Sequence, residues 1–167
     1  SRLNGKLWEE LTEAEHQARP RVLAARSTLY PDTERAMGWD IGPTGLRIVL
    51  DASVPDLVRT HLGGDVHQFL DDHGLSQDDI GFYVSHPGGP KVLEAVQEAL
   101  GVPRDAVQLT WDSLADIGNL SSASVLHVLA DTLRLRPPEP GSYGLLLAMG
   151  PGFCSELVLL QMPERAA

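Results

Sequence analysis

Four short stretches hold residues able to do chemistry. In Ser85-His86-Pro87-Gly88-Gly89-Pro90 an apolar segment ends on His86, and two glycines follow. Imidazole titrates near neutral pH and suits proton transfer, and glycines let a ligand approach the backbone closely. In Asp116-Ile117-Gly118-Asn119-Leu120-Ser121-Ser122-Ala123 an amide side chain precedes a run of small residues. Beside a histidine, a buried amide offers an N–H to an oxyanion; taken alone, Asn119 and the serines read as a helix cap, with Ser121 or Ser122 as the capping residue. Met149-Gly150-Pro151-Gly152-Phe153 is stiff at its proline and permissive at both flanks, and as a turn it needs no function. Cys154 is the fourth. A thiol invites a nucleophile, but its place at the head of an apolar run favours a small buried hydrophobe. His16, His61, His67, His73 and His127 fall in helical segments without metal-ligand spacing, so no metal site is expected.

The elements that must position these residues alternate between strand and helix. Strands are predicted over 21–25, 45–50, 80–85, 143–149 and 156–160, with Leu46, Ile48 and Leu50 on one face of the second. The last two, joined by Gly150-Pro151-Gly152-Phe153, form a hairpin. Helices are predicted over 54–62, with Ser53 as N-cap and Pro55 in the first turn, over 66–73 until Gly74, over 90–100 until Gly101, and over 121–133. The last is rich in small and apolar residues and is expected to be buried. Residues 1–19 stand apart as a Glu-rich amphipathic helix with a narrow stripe of Leu7, Trp8 and Leu11. The expected organisation is this atypical helix, one α/β domain over 20–162 and a tail over 163–167.

Composition excludes several function classes. The chain has 167 residues, enough for one core, with 43% hydrophobic and 22% charged residues. Its net charge is −10 and its only lysines are Lys6 and Lys91, which argues against a nucleic-acid partner. No apolar run approaches the roughly 20 residues that span a bilayer, and Ser1–Gly5 is not followed by a stretch of signal-peptide type. Cys154 is the single cysteine, which rules out an internal disulfide and fits a cytoplasmic setting.

Taken in order, His86-Pro87-Gly88-Gly89-Pro90, Gly118-Asn119-Leu120-Ser121-Ser122-Ala123 and Gly150-Pro151-Gly152-Phe153 resemble the C-terminal half of bacterial type III polyketide synthases, the chalcone-synthase-like branch of the thiolase superfamily. Leu29-Tyr30-Pro31-Asp32-Thr33-Glu34 and Met37-Gly38-Trp39-Asp40 resemble the segment leading into that half. The resemblance runs from about Arg21 to about Gln161. Each motif is weak alone; the ordered set is specific. It implies an α/β fold, the C-terminal half of a layered αβαβα thiolase-like architecture with a mixed sheet and a buried helix. It implies an acyltransferase that decarboxylates malonyl-CoA and joins the enolate to an acyl-CoA-derived starter in a Claisen condensation, with coenzyme A thioesters as substrates and no cofactor. His86 and Asn119 would be catalytic. Gly88 and Lys91 would lie near coenzyme A. Gly38, Leu46, Ile48, Leu50, Ser121, Gly150, Pro151, Gly152 and Phe153 would line the substrate cavity, and Ile48, aliphatic where plant members carry an aromatic residue, favours an acyl starter.

The chain departs from the family in one large respect. Whole enzymes are longer, and their nucleophilic cysteine lies in an N-terminal half; Cys154 follows the Gly-Pro-Gly-Phe stretch and does not match it. The expected partner is therefore that Cys-bearing half, with the whole enzyme a homodimer and the chain alone inactive. The alternative is a non-catalytic half-domain that pairs with a thiolase-like partner.

Overall fold

The structure, a computed structural model, describes residues 19–164. The helix expected over 1–19 lies outside the described residues apart from Arg19, and the expected tail is described only at Pro163 and Glu164.

Alternating apolar residues build the centre. β5 (Tyr143–Gly150) and β6 (Cys154–Gln161) pair antiparallel, with Leu145 opposite Leu159 and Leu147 opposite Leu157, and all four are fully buried. β1 (Arg21–Leu29) adds antiparallel to β6, and β4 (Ile80–Ser85) adds parallel to β5. The result is a mixed four-stranded sheet in the order β1-β6-β5-β4. A separate antiparallel hairpin joins β2 (Met37–Gly42) to β3 (Gly45–Leu50).

Helices cover both faces of the sheet. α1 (Val54–Asp71) buries Val54, Val58, Leu62, Val66 and Phe69, a stripe at helical spacing. α2 (Pro90–Leu100) packs along it and is stopped by Gly101 in the left-handed conformation, φ 63°. Together they enclose the inward leucines of β5 and β6. α3 (Gln108–Asp116) leads into α4 (Ala123–Leu135), which sets Val128 against Phe82, Val84 and Leu160 on the opposite face.

Several boundaries differ from expectation, each for a local reason. α1 runs unbroken through Gly63-Gly64 and joins the stretches expected over 54–62 and 66–73. A Cβ at Gly63 would lie 2.6 Å from the Ala99 carbonyl oxygen, so glycine there lets α2 approach. Ser53 stands at the N-cap of α1 but makes no side-chain cap; instead its N–H donates to the Asp51 carboxylate at 2.8 Å. β1 continues to Leu29 because β6 offers partners that far, and β2 forms because β3 pairs with it residue for residue. α4 buries only one face: Ser124, Val128 and Thr132 are buried, while Leu126 and Leu135 are exposed.

Candidate active site

His86 and Asn119 reach one edge of the sheet from different elements. His86 follows β4 directly, and its N–H donates to the Leu147 carbonyl at 2.9 Å, extending the ladder with β5 by one residue. Gly88 N–H turns back onto the His86 carbonyl at 2.9 Å, Gly89 takes φ 145°, and Pro90 opens α2. Only glycine adopts that conformation freely, which explains Gly89 at this strand-to-helix corner. Asn119 lies in the turn between α3 and α4. Its Nδ2 donates to the Gly88 carbonyl at 3.5 Å, and its Oδ1 accepts from Ser121 N–H at 2.8 Å. The amide therefore ties the α3–α4 turn to the loop that carries His86.

Ser121 and Ser122 do not cap α4 with their side chains. Ser122 holds the N-cap position without a side-chain bond, and the buried Ser124 Oγ accepts from Leu120 N–H at 2.6 Å. Ser121 takes φ 60°, held by the Asn119 bond. Asn119 is exposed, whereas His86 is partly buried, and burial pulls its imidazole below the ordinary histidine value, favouring the neutral form. Cys154 behaves in the opposite sense to a poised nucleophile. Its half-buried thiol faces the Pro151 carbonyl at 3.4 Å, and burial, with Glu156 adding, pushes its pKa up.

Residues 21–163 match the C-terminal domain of chalcone and stilbene synthases. The chain belongs to that family, the type III polyketide synthases. It is 60% identical over 142 residues to the 1,3,6,8-tetrahydroxynaphthalene synthase of Streptomyces peucetius subsp. caesius, an alignment covering 85% of this chain and 38% of that protein. It is 38% identical over 146 residues to the 3,5-dihydroxyphenylacetyl-CoA synthase of Amycolatopsis orientalis, covering 86% and 40%. The crystal structure of the 1,3,6,8-tetrahydroxynaphthalene synthase of Streptomyces coelicolor A3(2) superposes with a TM-score of 0.80 at 31% identity, over 88% of this chain and 42% of that one. The chain thus spans about 40% of the length of these relatives.

The other expected positions of a type III polyketide synthase fall in two groups. Gly88 and Lys91 sit beside His86, at the entry to α2, with Lys91 exposed. Gly150, Pro151, Gly152 and Phe153 turn β5 into β6 at the carboxyl edge that also carries His86; the Gly152–Phe153 peptide is cis, and Phe153 is buried. Leu46, Ile48 and Leu50 share one face of the β2–β3 hairpin, opposite Ile41, Trp39 and Met37, and are 66%, 60% and 59% exposed. Gly38 pairs with Val49, and so its position belongs to the other face. The structure brings His86, Asn119, Gly88 and Ser121 into one cluster, and Leu46, Ile48 and Leu50 into another.

Two cavities lie elsewhere among the described residues, one of about 310 Å³ between α3 and α4 and one of about 300 Å³ between β4 and the segment around Pro137; His86, Asn119 and the hairpin line neither. Sequence reasoning missed one set of residues here. Tyr30 and Ser155, both buried, meet the half-buried Asp65 in a hydrogen-bonded group against the Gly150–Phe153 turn. Their separations of 35, 90 and 125 residues leave no local signal.

Proposed function

We propose that the chain is the His/Asn-bearing part of a type III polyketide synthase, in which His86 and Asn119 promote decarboxylation of malonyl-CoA. The observation that carries this reading is the Asn119 amide bonded to the backbone of Gly88, two residues from His86, in a chain of this family. The malonyl carboxylate leaves as carbon dioxide, and its bonding pair becomes the enolate. Negative charge then develops on the thioester oxygen, where the imidazole and amide N–H groups each donate. The enolate carbon attacks an acyl group held as a cysteine thioester, forming a carbon–carbon bond and releasing the thiolate. That cysteine comes from outside these residues, since Cys154 is the only one and its pKa is raised. A thiolate partner would draw the His86 pKa upward, against the burial that lowers it here.

In this reading Gly88 and Lys91 meet coenzyme A, and Gly38, Leu46, Ile48, Leu50, Ser121 and Gly150–Phe153 shape the acyl cavity. The substrates are acyl-CoA and malonyl-CoA, with no cofactor, in a cytoplasmic homodimer. The uncovered hairpin face supports a second reading for the isolated chain, a half-domain that pairs with a Cys-bearing partner without catalysis of its own.

The experiment supplies the chain with the Cys-bearing portion of the Streptomyces peucetius relative and measures carbon dioxide release from malonyl-CoA. His86→Ala and Asn119→Ala should each lower it by about 10²–10³, as loss of one oxyanion donor does. Iodoacetamide alkylation of the partner cysteine against pH separates the roles. Only an imidazole can stabilise the thiolate by ion pairing, so His86→Ala should raise the apparent thiol pKa and Asn119→Ala should not. Equal shifts in both variants would refute the assignment. Polyketide formation by the purified 167-residue chain alone would overturn the external nucleophile.

A further inference from the structure

We propose that Tyr30, Asp65 and Ser155 form a clamp whose task is to hold the Gly150–Phe153 turn and the β2–β3 hairpin in one fixed arrangement. Calling the surface so arranged a substrate wall rests on the function proposed above; the clamp itself does not.

Three elements meet at this point. Tyr30 opens the connector between β1 and β2, Asp65 lies on α1 and Ser155 on β6. The Tyr30 hydroxyl donates to Asp65 Oδ2, and Ser155 Oγ lies 3.0 Å from both that oxygen and the Tyr30 hydroxyl. Tyr30 and Ser155 are buried, and burial together with Asp65 pushes the phenol pKa well above its ordinary value, so Tyr30 remains a neutral donor. Below the hydroxyl the ring is gripped on two sides. His61 stacks at 4.4 Å and Phe153 at 5.7 Å between ring centroids. His61 and Asp65 are four residues apart on α1, so one helix face supplies both the stacking ring and the acceptor.

From this node the connector grips the turn. Tyr30 N–H donates to the Phe153 carbonyl at 3.0 Å, Phe153 N–H to Thr33 Oγ1 at 3.0 Å, and Gly152 N–H to the Met37 carbonyl at 3.0 Å. Thr33 Oγ1 in turn donates to the Tyr30 carbonyl at 2.7 Å. Met37 is the first residue of β2, and Asp51, just past β3, donates its N–H to the Ala36 carbonyl at 2.8 Å. The turn lies so close to the connector that a Cβ at Gly152 would meet Leu29 Cδ1 at 2.7 Å. Stacking would be satisfied by phenylalanine at position 30. The hydroxyl adds a bond to α1 and one to β6, and with it the connector cannot slide without leaving buried polar atoms unpaired.

Amide hydrogen exchange on the ¹⁵N-labelled chain tests this without any turnover. Tyr30→Phe should speed exchange at Gly152, Phe153 and Asp51 by roughly fivefold, the change supported by one hydrogen bond of average strength. Leu145 and Leu159 in the β5–β6 ladder should change by less than about twofold. Asp65→Asn keeps a carbonyl acceptor and should stay close to the parent chain, whereas Asp65→Ala should match Tyr30→Phe. If Tyr30→Phe does not fold, Ser155→Ala carries the same comparison. Unchanged exchange at the three connector amides, or an equal rise across the ladder, overturns the clamp. A failure of the proposed chemistry would leave these rates untouched, so the two ideas fall separately.

Discussion

The two antiparallel hairpins of this chain are similarly apolar in sequence and opposite in fate. β5–β6 sets Leu145, Leu147, Leu157 and Leu159 into a core closed by α1 and α2. β2–β3 sets Trp39, Ile41, Leu46, Ile48 and Leu50 on one face and leaves all five more than half exposed. The first hairpin lies between two other strands of the sheet; the second is tied to the body mainly at its base, through Met37, Ala36 and Asp51. Alternation specifies which residues share a face, but what covers that face is decided by the rest of the fold. A contiguous apolar face of this kind marks a surface for another chain segment or a ligand. The candidate chemistry lies at the carboxyl edge of the sheet, where the closed region ends.

The contrast is broken or upheld first by paired truncations. Leu157→Ala removes a fully buried side chain between two helices and a sheet, and should cost about 2–5 kcal/mol. Ile48→Ala removes a side chain that is 60% exposed and should cost no more than about 0.5 kcal/mol. Urea unfolding of both variants measures the gap; comparable losses would mean that the hairpin face is covered in the folded chain.

A second, smaller effect sharpens what the open face does. An apolar face of this size should draw two copies of the chain together, and Ile48→Lys places a charge in its middle. Sedimentation should then show self-association weakened by at least about tenfold in the variant, with its unfolding midpoint unchanged at protein concentrations where both chains are monomeric. A parent chain that sediments as a monomer across concentration would remove the hairpin as a sticky surface.

Much of the closed region was legible in the sequence. Two short, strongly apolar runs around Gly150-Pro151-Gly152-Phe153 gave β5 and β6, and Gly101 marked the end of α2. α3 was missed because Gln108–Asp116 offers only Leu109, Trp111, Leu114 and Ala115 among polar residues, which make no clear face. β2 was missed although Met37, Trp39 and Ile41 alternate with Gly38, Asp40 and Gly42, because two glycines and an aspartate carry low strand propensity and pairing with β3 outweighs it. Gly63 serves a close helix contact set by residues of α2, a role that local spacing does not show. His86 and Asn119 stood out only as members of an ordered set of motifs. Their joining through Gly88 is a tertiary fact, as is the Tyr30 clamp, and neither leaves a trace in local spacing.

The smallest expected effect sits on the boundary between the two regions, at His86. Burial holds its folded-state pKa below the ordinary value of about 6.5 that it regains on unfolding. Between those two values the unfolded chain binds a proton that the folded chain refuses. Stability therefore rises with pH through that window. It is fully present above about 6.5 and is lost as pH falls through the folded-state value. Urea midpoints at pH 7.5 and 5.5 should thus differ more in the parent chain than in His86→Gln, which cannot titrate there. The comparison cancels the other histidines, and the lowered carboxylates Asp40, Asp51, Asp79 and Glu98 titrate at lower pH in both chains. Equal pH dependence in the two chains would place His86 on the open side of the boundary. Supplying the Cys-bearing portion tests the same residue from the other direction. A thiolate beside His86 would raise its pKa, and the His86-dependent slope would then reverse its sign.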